Sequence, residues 1–125
     1  MTKTERRRFG DEAEKLAIKY LSGKGYQILE RGYRFGRKEI DIVCRIGNII
    51  CFVEVKASRT EKFGAPETWV TLSKQKNIIA AAQGYIQKNN IQNCDFRFDV
   101  VSYKRIKNDV RLNHFEGAFY VEENL

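Results

Sequence analysis

This chain has one histidine, one proline and three cysteines, and these scarcities close off several kinds of chemistry. His114 alone cannot anchor a zinc site. Cys44, Cys51 and Cys94 lack metal-ligand spacing, and any disulfide would leave one of them over, which fits a reducing, cytoplasmic setting. No apolar run approaches the ~18 residues of a membrane span, so no membrane partner is expected. The basic N-terminus lacks the apolar segment of a secretory signal. Internal repeats, low-complexity blocks and interdomain linkers are missing as well.

What is present describes one folded domain spanning residues 1–125. The apolar share of 42% and aromatic share of 12% suit a globular core. The net charge of +7 favours a polyanionic partner, with nucleic acid ahead of an anionic membrane surface. A generic basic surface gives the same number, so the placement of the charge matters more than its sum.

Two stretches carry the most information. Glu39-Ile-Asp-Ile-Val43 and Phe52-Val-Glu-Val-Lys56 both alternate polar with apolar residues, as half-buried strands do. Gly47-Asn48 between them is a two-residue hairpin signal. With that turn Ile46 pairs with Ile49, Asp41 falls opposite Glu54, and Glu39 falls opposite Lys56. A three-residue turn would break the pairing. Directly opposed Cβ atoms lie ~4.5–5.5 Å apart, and two carboxylates that close repel unless a proton or a cation sits between them. The other ribbon face, Ile40, Ile42, Cys44, Ile46, Ile49, Cys51, Val53 and Val55, is wholly apolar and pins the register by burial.

Around this ribbon the elements run in the order α-β-β-β-α-β-β. Thr2 and Glu5 have capping-box spacing for a first helix reaching about Leu21, with Phe9, Ala13, Leu16, Ala17, Tyr20 and Leu21 as its apolar stripe. Glu12 lies roughly 40° from Leu16 and 60° from Phe9, at the stripe's edge. It borders whatever the helix packs on, and helix geometry alone also fits an ordinary flanking glutamate. Arg6, Arg7 and Arg8 oppose the helix dipole, a small cost that a bound phosphate would offset.

A first strand follows from Tyr26 to Tyr33. Arg31, Arg34, Arg37 and Lys38 then cluster around Gly32 and Gly36, interleaved with Tyr33 and Phe35, a pattern that suits a nucleic-acid backbone or a solvated loop. Beyond Lys56 a polar loop carries Arg59, Gly64 and Pro66 beside the charged ribbon face, with a short extended piece at Thr68-Trp-Val. Thr71 or Ser73 caps a second helix, Leu72 to Lys88, with Lys74 and Lys76 in its first turn. Phe96 to Tyr103 alternates as a strand, Lys104 to Asn113 reads as a basic hairpin loop, and His114 to Val121 as the last strand. Asp99 either supports the site from its strand or caps a turn. These elements give an α/β fold, a mixed five-stranded sheet flanked by helices, with the second helix as the crossover of a parallel pair.

Asp41 followed by Glu54-Val-Lys56 has the form of a D…(D/E)xK nuclease signature. Glu54 and Lys56 share a strand face. The two carboxylates and the Val55 carbonyl can hold one Mg²⁺ (or Mn²⁺), which keeps sites for water and a phosphate oxygen. Lys56 can orient the attacking water or neutralise developing charge. If the first helix packs on this face, Glu12 reaches the metal. The bland alternative is a surface ion pair, Glu39 with Lys56, beside two exposed acids.

Phe9-Gly-Asp-Glu12 with Ala13, Ala17-x-x-Tyr-Leu21, Gly25-Tyr26, Lys38-Glu-Ile-Asp-Ile-Val43, Phe52-Val-Glu-Val-Lys56 and Phe98-Asp-Val-Val101 together resemble the YraN-like family of small bacterial proteins. That family is similar in turn to archaeal Holliday junction resolvases, which implies a restriction-endonuclease-like fold and a homodimer. By this resemblance Glu12, Asp41, Glu54 and Lys56 match the acidic helix residue, the metal-binding aspartate and the E-x-K pair. Where the family commonly has Gly-Glu-Ile-Asp this chain has Arg37-Lys38-Glu-Ile-Asp, so the approach to Asp41 is bulkier and more basic.

The expectation is a Mg²⁺- or Mn²⁺-dependent DNA endonuclease acting on branched or junction DNA. Glu12, Asp41, Glu54 and Lys56 are its catalytic set, and Arg6, Arg7, Arg8, Arg34, Arg37, Lys38, Arg59, Lys74 and Lys76 its DNA contacts. The alternatives are a non-catalytic nucleic-acid-binding module on the same fold and a protein-interaction domain for an acidic partner.

Overall fold

A computed structural model of the chain describes residues 1–60 and 69–121. Thr2 opens α1 (Lys3–Gly23) by accepting the Glu5 N–H at 3.1 Å, as the capping signal predicts. Thr71, rather than Ser73, caps α2 (Leu72–Lys88) in the same way through the Lys74 N–H. Five strands, β1 (Gln27–Phe35), β2 (Lys38–Ile46), β3 (Ile49–Ser58), β4 (Asp95–Ile106) and β5 (Asp109–Phe119), form one sheet in chain order. β3 and β4 are parallel, with α2 as the crossover between them, and the other neighbours are antiparallel. This is the mixed α/β arrangement read from the sequence.

Each face of the sheet carries one helix. α1 lays Ala17 and Leu21 on Ile42, Cys44, Cys51, Val53 and Val101. Nearer its start, Phe9 and Ala13 pack with Tyr103. On the other face Ile78, Ala81, Ala82 and Tyr85 of α2 cover Val43, Ile50, Phe52, Phe98 and Val100. Phe52, fully buried, stacks on Phe98 with ring centroids 5.5 Å apart. Burying such a side chain contributes about 1.5–3 kcal/mol.

The β2–β3 hairpin has the register that Gly47-Asn48 implies. Ile46 pairs with Ile49 and Cys44 with Cys51, and Gly47 sits at φ 54° in the left-handed region. Both of these cysteines are buried free thiols.

Three expectations change. Ile40 does not continue the apolar face of Ile42 and Cys44, but belongs to the α2-side core. The stretch from Lys104 to Asn113 is not a loop: β4 and β5 stay paired until Ile106 meets Asp109. Only Lys107 and Asn108 turn the chain, with Lys107 at φ 57° where a glycine would have been the readable signal. Trp69 and Val70 form a bend rather than an extended piece, and Trp69 sets its ring edge-on to Phe115 at 4.9 Å. Gly64, Pro66 and Thr68 lie outside the described residues. No helix among the described residues is long and apolar enough to cross a membrane.

Candidate metal and phosphodiester centre

The regular alternation of β1 and β2 breaks where Asp41 stands. Arg31 pairs with Ile42 and Tyr33 with Ile40, while Gly32 between them takes φ 63°. A side chain there would be strained, and a Cβ would meet Glu39 Oε1 at 3.4 Å. Beyond the break Tyr33 and Ile40 both turn into the α2-side core. The β2–β3 ladder also ends here, its last pair being Ile42 with Val53. Asp41 Oδ2 accepts the Val55 N–H at 2.8 Å, a donor that a longer ladder would give to a main-chain carbonyl. The two strands therefore open at the point where the acids sit. The Val55 carbonyl points to the same side as its N–H and faces that opening.

Glu54 stands beside Asp41, as the register predicts. Its side chain is 12% exposed. Burial first, and then a hydrogen bond shared with Asp41 and the charge of that neighbour, push the Glu54 carboxyl up to about 9. Lys74 of α2 opposes the rise from 3.6 Å. At neutral pH that shift favours the protonated form of the Glu54 carboxyl.

Lys56, two residues on, is exposed on the same strand face. Its partner across β3–β4 is Ser102, whose buried hydroxyl has no hydrogen-bond partner among the described residues. Glu39 does not face Lys56. With the β2–β3 ladder already ended, it pairs across β1–β2 with Arg34 and makes an ion pair there at 3.6 Å.

The two glutamates flanking the buried stripe of α1 lean to opposite sides. Glu12 leans toward β4, where the Tyr103 hydroxyl donates to it at 2.8 Å and Arg105 at 3.1 Å. Glu14 leans the other way, toward β1, 3.8 Å from Arg31. Burial raises the Glu14 carboxyl, the Asp41 charge raises it next, and Arg31 opposes both. The cause is helix phase. The buried stripe of α1 is Phe9, Ala13, Ala17 and Leu21. Its centre lies about 80° from Glu14 and about 120° from Glu12 at ~100° per residue. From the sequence stripe the two glutamates flank the apolar face equally, one on each side, so Glu14 was as readable as Glu12.

The expected DNA contacts gather at one end of the sheet. Arg6, Arg7 and Arg8 are exposed on the first turns of α1. Arg37 and Lys38 close the β1–β2 turn, beside Arg34. Arg59 follows β3 with its guanidinium 4.7 Å from the Phe9 ring centre. Lys74 reaches Glu54, and Lys76 is exposed two residues further along α2.

Asp99 is not part of this centre. It is fully buried beneath the far half of α1 and takes hydrogen bonds from Arg97 (2.8 and 2.9 Å) and from the Gly117 N–H (3.0 Å), with His114 Nε2 at 2.8 Å. Burial works against its charge, but the bonds from His114, Arg97 and Gly117 outweigh it and hold the carboxyl below its usual range. Asp99 pins the irregular stretch of β5 where Gly117 takes φ 60°.

Among the described residues no three His, Cys, Asp or Glu side chains converge as a ready-made metal cage. Asp41, Glu54 and the Val55 carbonyl instead form a partial, all-oxygen set. Such a set fits a hard ion that keeps several waters and takes further ligands from a substrate phosphate.

Comparison with known proteins places the chain. Residues 13–103 match the uncharacterised protein family UPF0102. That span contains Glu14, Asp41, Glu54 and Lys56 and begins just after Glu12. A UPF0102 protein of Chlorobium chlorochromatii is 44% identical over 120 residues, covering 91% of this chain and 92% of that one. One of Clostridioides difficile is 44% identical over 110 residues, covering 88% and 95%, and one of Caldicellulosiruptor saccharolyticus 40% identical over 116 residues, covering 91% and 98%. With the match extending from the first helix through the fourth strand, this chain belongs to the UPF0102 family, the YraN-like proteins its motifs resemble.

Proposed function

We propose that the chain is a divalent-metal-dependent DNA endonuclease that hydrolyses phosphodiester bonds, with branched or junction DNA as its substrate. The observation that carries this reading is the Asp41–Glu54 pair, two carboxyl groups brought together where the β2–β3 ladder opens, with Lys74 at 3.6 Å from Glu54 and the Val55 N–H donating to Asp41. Asp41, Glu54 and the Val55 carbonyl would hold Mg²⁺ or Mn²⁺, with Glu14 reaching it directly or through a water. Bound there, the ion supplies Lewis acidity toward the phosphoryl oxygen and a more acidic water.

The chain's own groups do the rest. Lys56, exposed next to the pair, orients the attacking water and neutralises charge developing on the phosphate. Lys74 balances Glu54 from the α2 side. Arg34, Arg37 and Lys38 on one side and Arg6, Arg7 and Arg8 on the other track the DNA backbone and set its position over the pair.

Incubation with duplex, single-stranded, flap and four-way-junction DNA in Mg²⁺ or Mn²⁺ tests this reading. Cleavage is expected for the native chain and is lost in Asp41→Ala and in Lys56→Ala. Absence of cleavage on every substrate, or cleavage that survives both substitutions, overturns it.

The exposed cations on both sides of the pair, Arg6, Arg7, Arg8, Arg34, Arg37 and Lys38, also support a second reading, a DNA-binding module that keeps the fold without the reaction. That reading expects salt-sensitive DNA binding with no heat of Mn²⁺ binding in calorimetry. A binding heat that disappears in Asp41→Ala decides against it.

A further inference from the structure

On the far flank of α1 from the acid pair, a cleft of about 280 Å³ is lined by Glu5, Arg8, Phe9, Glu12, Arg59 and Arg105. Three guanidinium groups meet there from three different elements: the second turn of α1, the segment leaving β3, and β4. Their settings differ. Arg59 is exposed and lies over the Phe9 ring at 4.7 Å, a contact a guanidinium makes through its face, so that its N–H groups are suited to a phosphate. Arg105 is held by Glu12 at 3.1 Å, yet both side chains are about two-fifths exposed, at 41% and 42%. Arg8 is exposed on the helix surface. The two carboxylates in the lining are occupied: Glu5 accepts from the Thr2 hydroxyl at 3.2 Å, and Glu12 has the Tyr103 hydroxyl as a donor at 2.8 Å independent of Arg105.

The cleft also has a fixed relation to the acid pair. β3 carries Glu54 and Lys56 and leads directly into Arg59, while Ala57 and Ser58 pair with Tyr103 and Lys104, next to Arg105. The two places are thus at the same end of the sheet, separated by the start of α1 and by about two strand spacings of ~4.8 Å each.

We propose that this cleft is a phosphate subsite that grips the DNA backbone beside the phosphate held at Asp41 and Glu54, with Glu12 acting as its gate. Arginine forks match phosphate oxygens two at a time. As the phosphate enters, Arg105 leaves Glu12 for it and Glu12 keeps Tyr103. The inference rests on the DNA-cleaving reading for its choice of ligand, but it concerns binding alone and adds a second anchor, which sets where along the strand the acid pair acts. It also gives Glu12 a role as a positioning residue rather than a metal ligand.

Fluorescence anisotropy with labelled single-stranded and duplex oligonucleotides, in EDTA and across 50–300 mM salt, tests it without any cleavage. Arg59→Gln with Arg105→Gln is expected to weaken binding about tenfold at the low-salt end and to flatten the salt slope by about one, the share of one phosphate contact. Lys19→Gln with Lys24→Gln removes the same charge from the opposite end of the sheet and is expected to change affinity less than twofold. Glu12→Gln releases Arg105 and is expected to tighten binding severalfold; it also keeps the test decisive if the double variant folds poorly. The proposal is overturned if the Arg59/Arg105 variant binds like the native chain, if both double variants lose affinity equally, or if Glu12→Gln leaves binding unchanged. A native chain that binds DNA through these arginines but never cuts it would overturn the endonuclease reading and leave the subsite standing. A native chain that binds no DNA at low salt would remove both.

Discussion

Asp99 and Glu54 are near neighbours with opposite fates. They sit on adjacent parallel strands, one residue apart in register, since Val53 pairs with Asp99 and Glu54 with Val100. Asp99 turns toward α1 and finds a guanidinium, an imidazole and a main-chain N–H, and its carboxyl falls below the usual range. Glu54 turns toward α2 and finds another acid, with one lysine at 3.6 Å, and its carboxyl rises to about 9. Both are largely buried, so burial does not explain the difference. The partners do. The Asp99 cluster is electrostatically complete, whereas among the described residues the Glu54 pair sets one lysine, Lys74, against two carboxyl groups.

The contrast breaks most visibly in stability. Asp99→Ala leaves the Arg97 guanidinium without its bidentate partner and is expected to cost about 3–5 kcal/mol. Asp41→Ala loses one N–H acceptor but relieves Glu54, and is expected to stay within about 1 kcal/mol of the native chain. Urea unfolding of both variants reads the difference, and equal losses would erase the distinction.

The two acids also give the stability curve opposite slopes in metal-free buffer. The folded Glu54 carboxyl, at about 9, lies above its ordinary 4.5. Between those values the unfolded chain releases a proton that the folded chain retains, so this group's contribution declines as pH rises through that window. The carboxyl of Asp99 is lowered from 3.8, so its contribution is present above that value and is lost as pH falls below it. Glu54→Gln is expected to stabilise the protein at pH 8 by about 1–3 kcal/mol, with the gain shrinking toward pH 5. Thermal melts at the two pH values check this, and a gain that does not depend on pH would contradict it.

Adding Mn²⁺ should sharpen the comparison from the other side. It should raise the melting temperature at pH 8 and release a proton from the Glu54 pair. Calorimetry in two buffers of different ionisation enthalpy reads that proton. Asp41→Asn should abolish both effects. Asp99 should be indifferent to the ion.

The smallest effect belongs to ion pairs. Arg34–Glu39 and Lys74–Glu54 have the same 3.6 Å separation, but the first is exposed on both sides and the second reaches a buried carboxyl. Arg34→Ala should change stability by less than about 0.5 kcal/mol. Lys74→Ala should move the Glu54 titration further up, readable by carbon NMR.

Sequence patterning made much of this visible. The capping of α1, the span of α2, the crossover and the Asp41–Glu54 register all follow from local rules: a cap, a helical period, a two-residue turn. The misreadings come from long-range effects. Nothing local says that Gly32 on β1 will break the alternation of β2 at Asp41 and send Ile40 to the other core. The turn at Lys107-Asn108 has no glycine to announce it. That Glu14 leans toward β1 and Glu12 toward β4 is likewise set only by how α1 packs on the sheet, since the two flank the apolar stripe symmetrically. The role of Asp99 depended on Arg97, His114 and Gly117 converging from three positions in the chain.

The open end of the β2–β3 hairpin has a kinetic consequence. A hairpin closed by a two-residue turn forms early, whereas the β3–β4 pair must join residues as distant in sequence as Ile49 and Asp95. Asp41 and Glu54 are therefore expected to meet before the sheet closes over them, and their repulsion acts on the folding nucleus itself. Stopped-flow refolding should be faster at pH 5 than at pH 8, and Glu54→Gln should remove most of the difference. An acid pair suited to holding a cation in the finished protein would then also set the pace at which the protein is made.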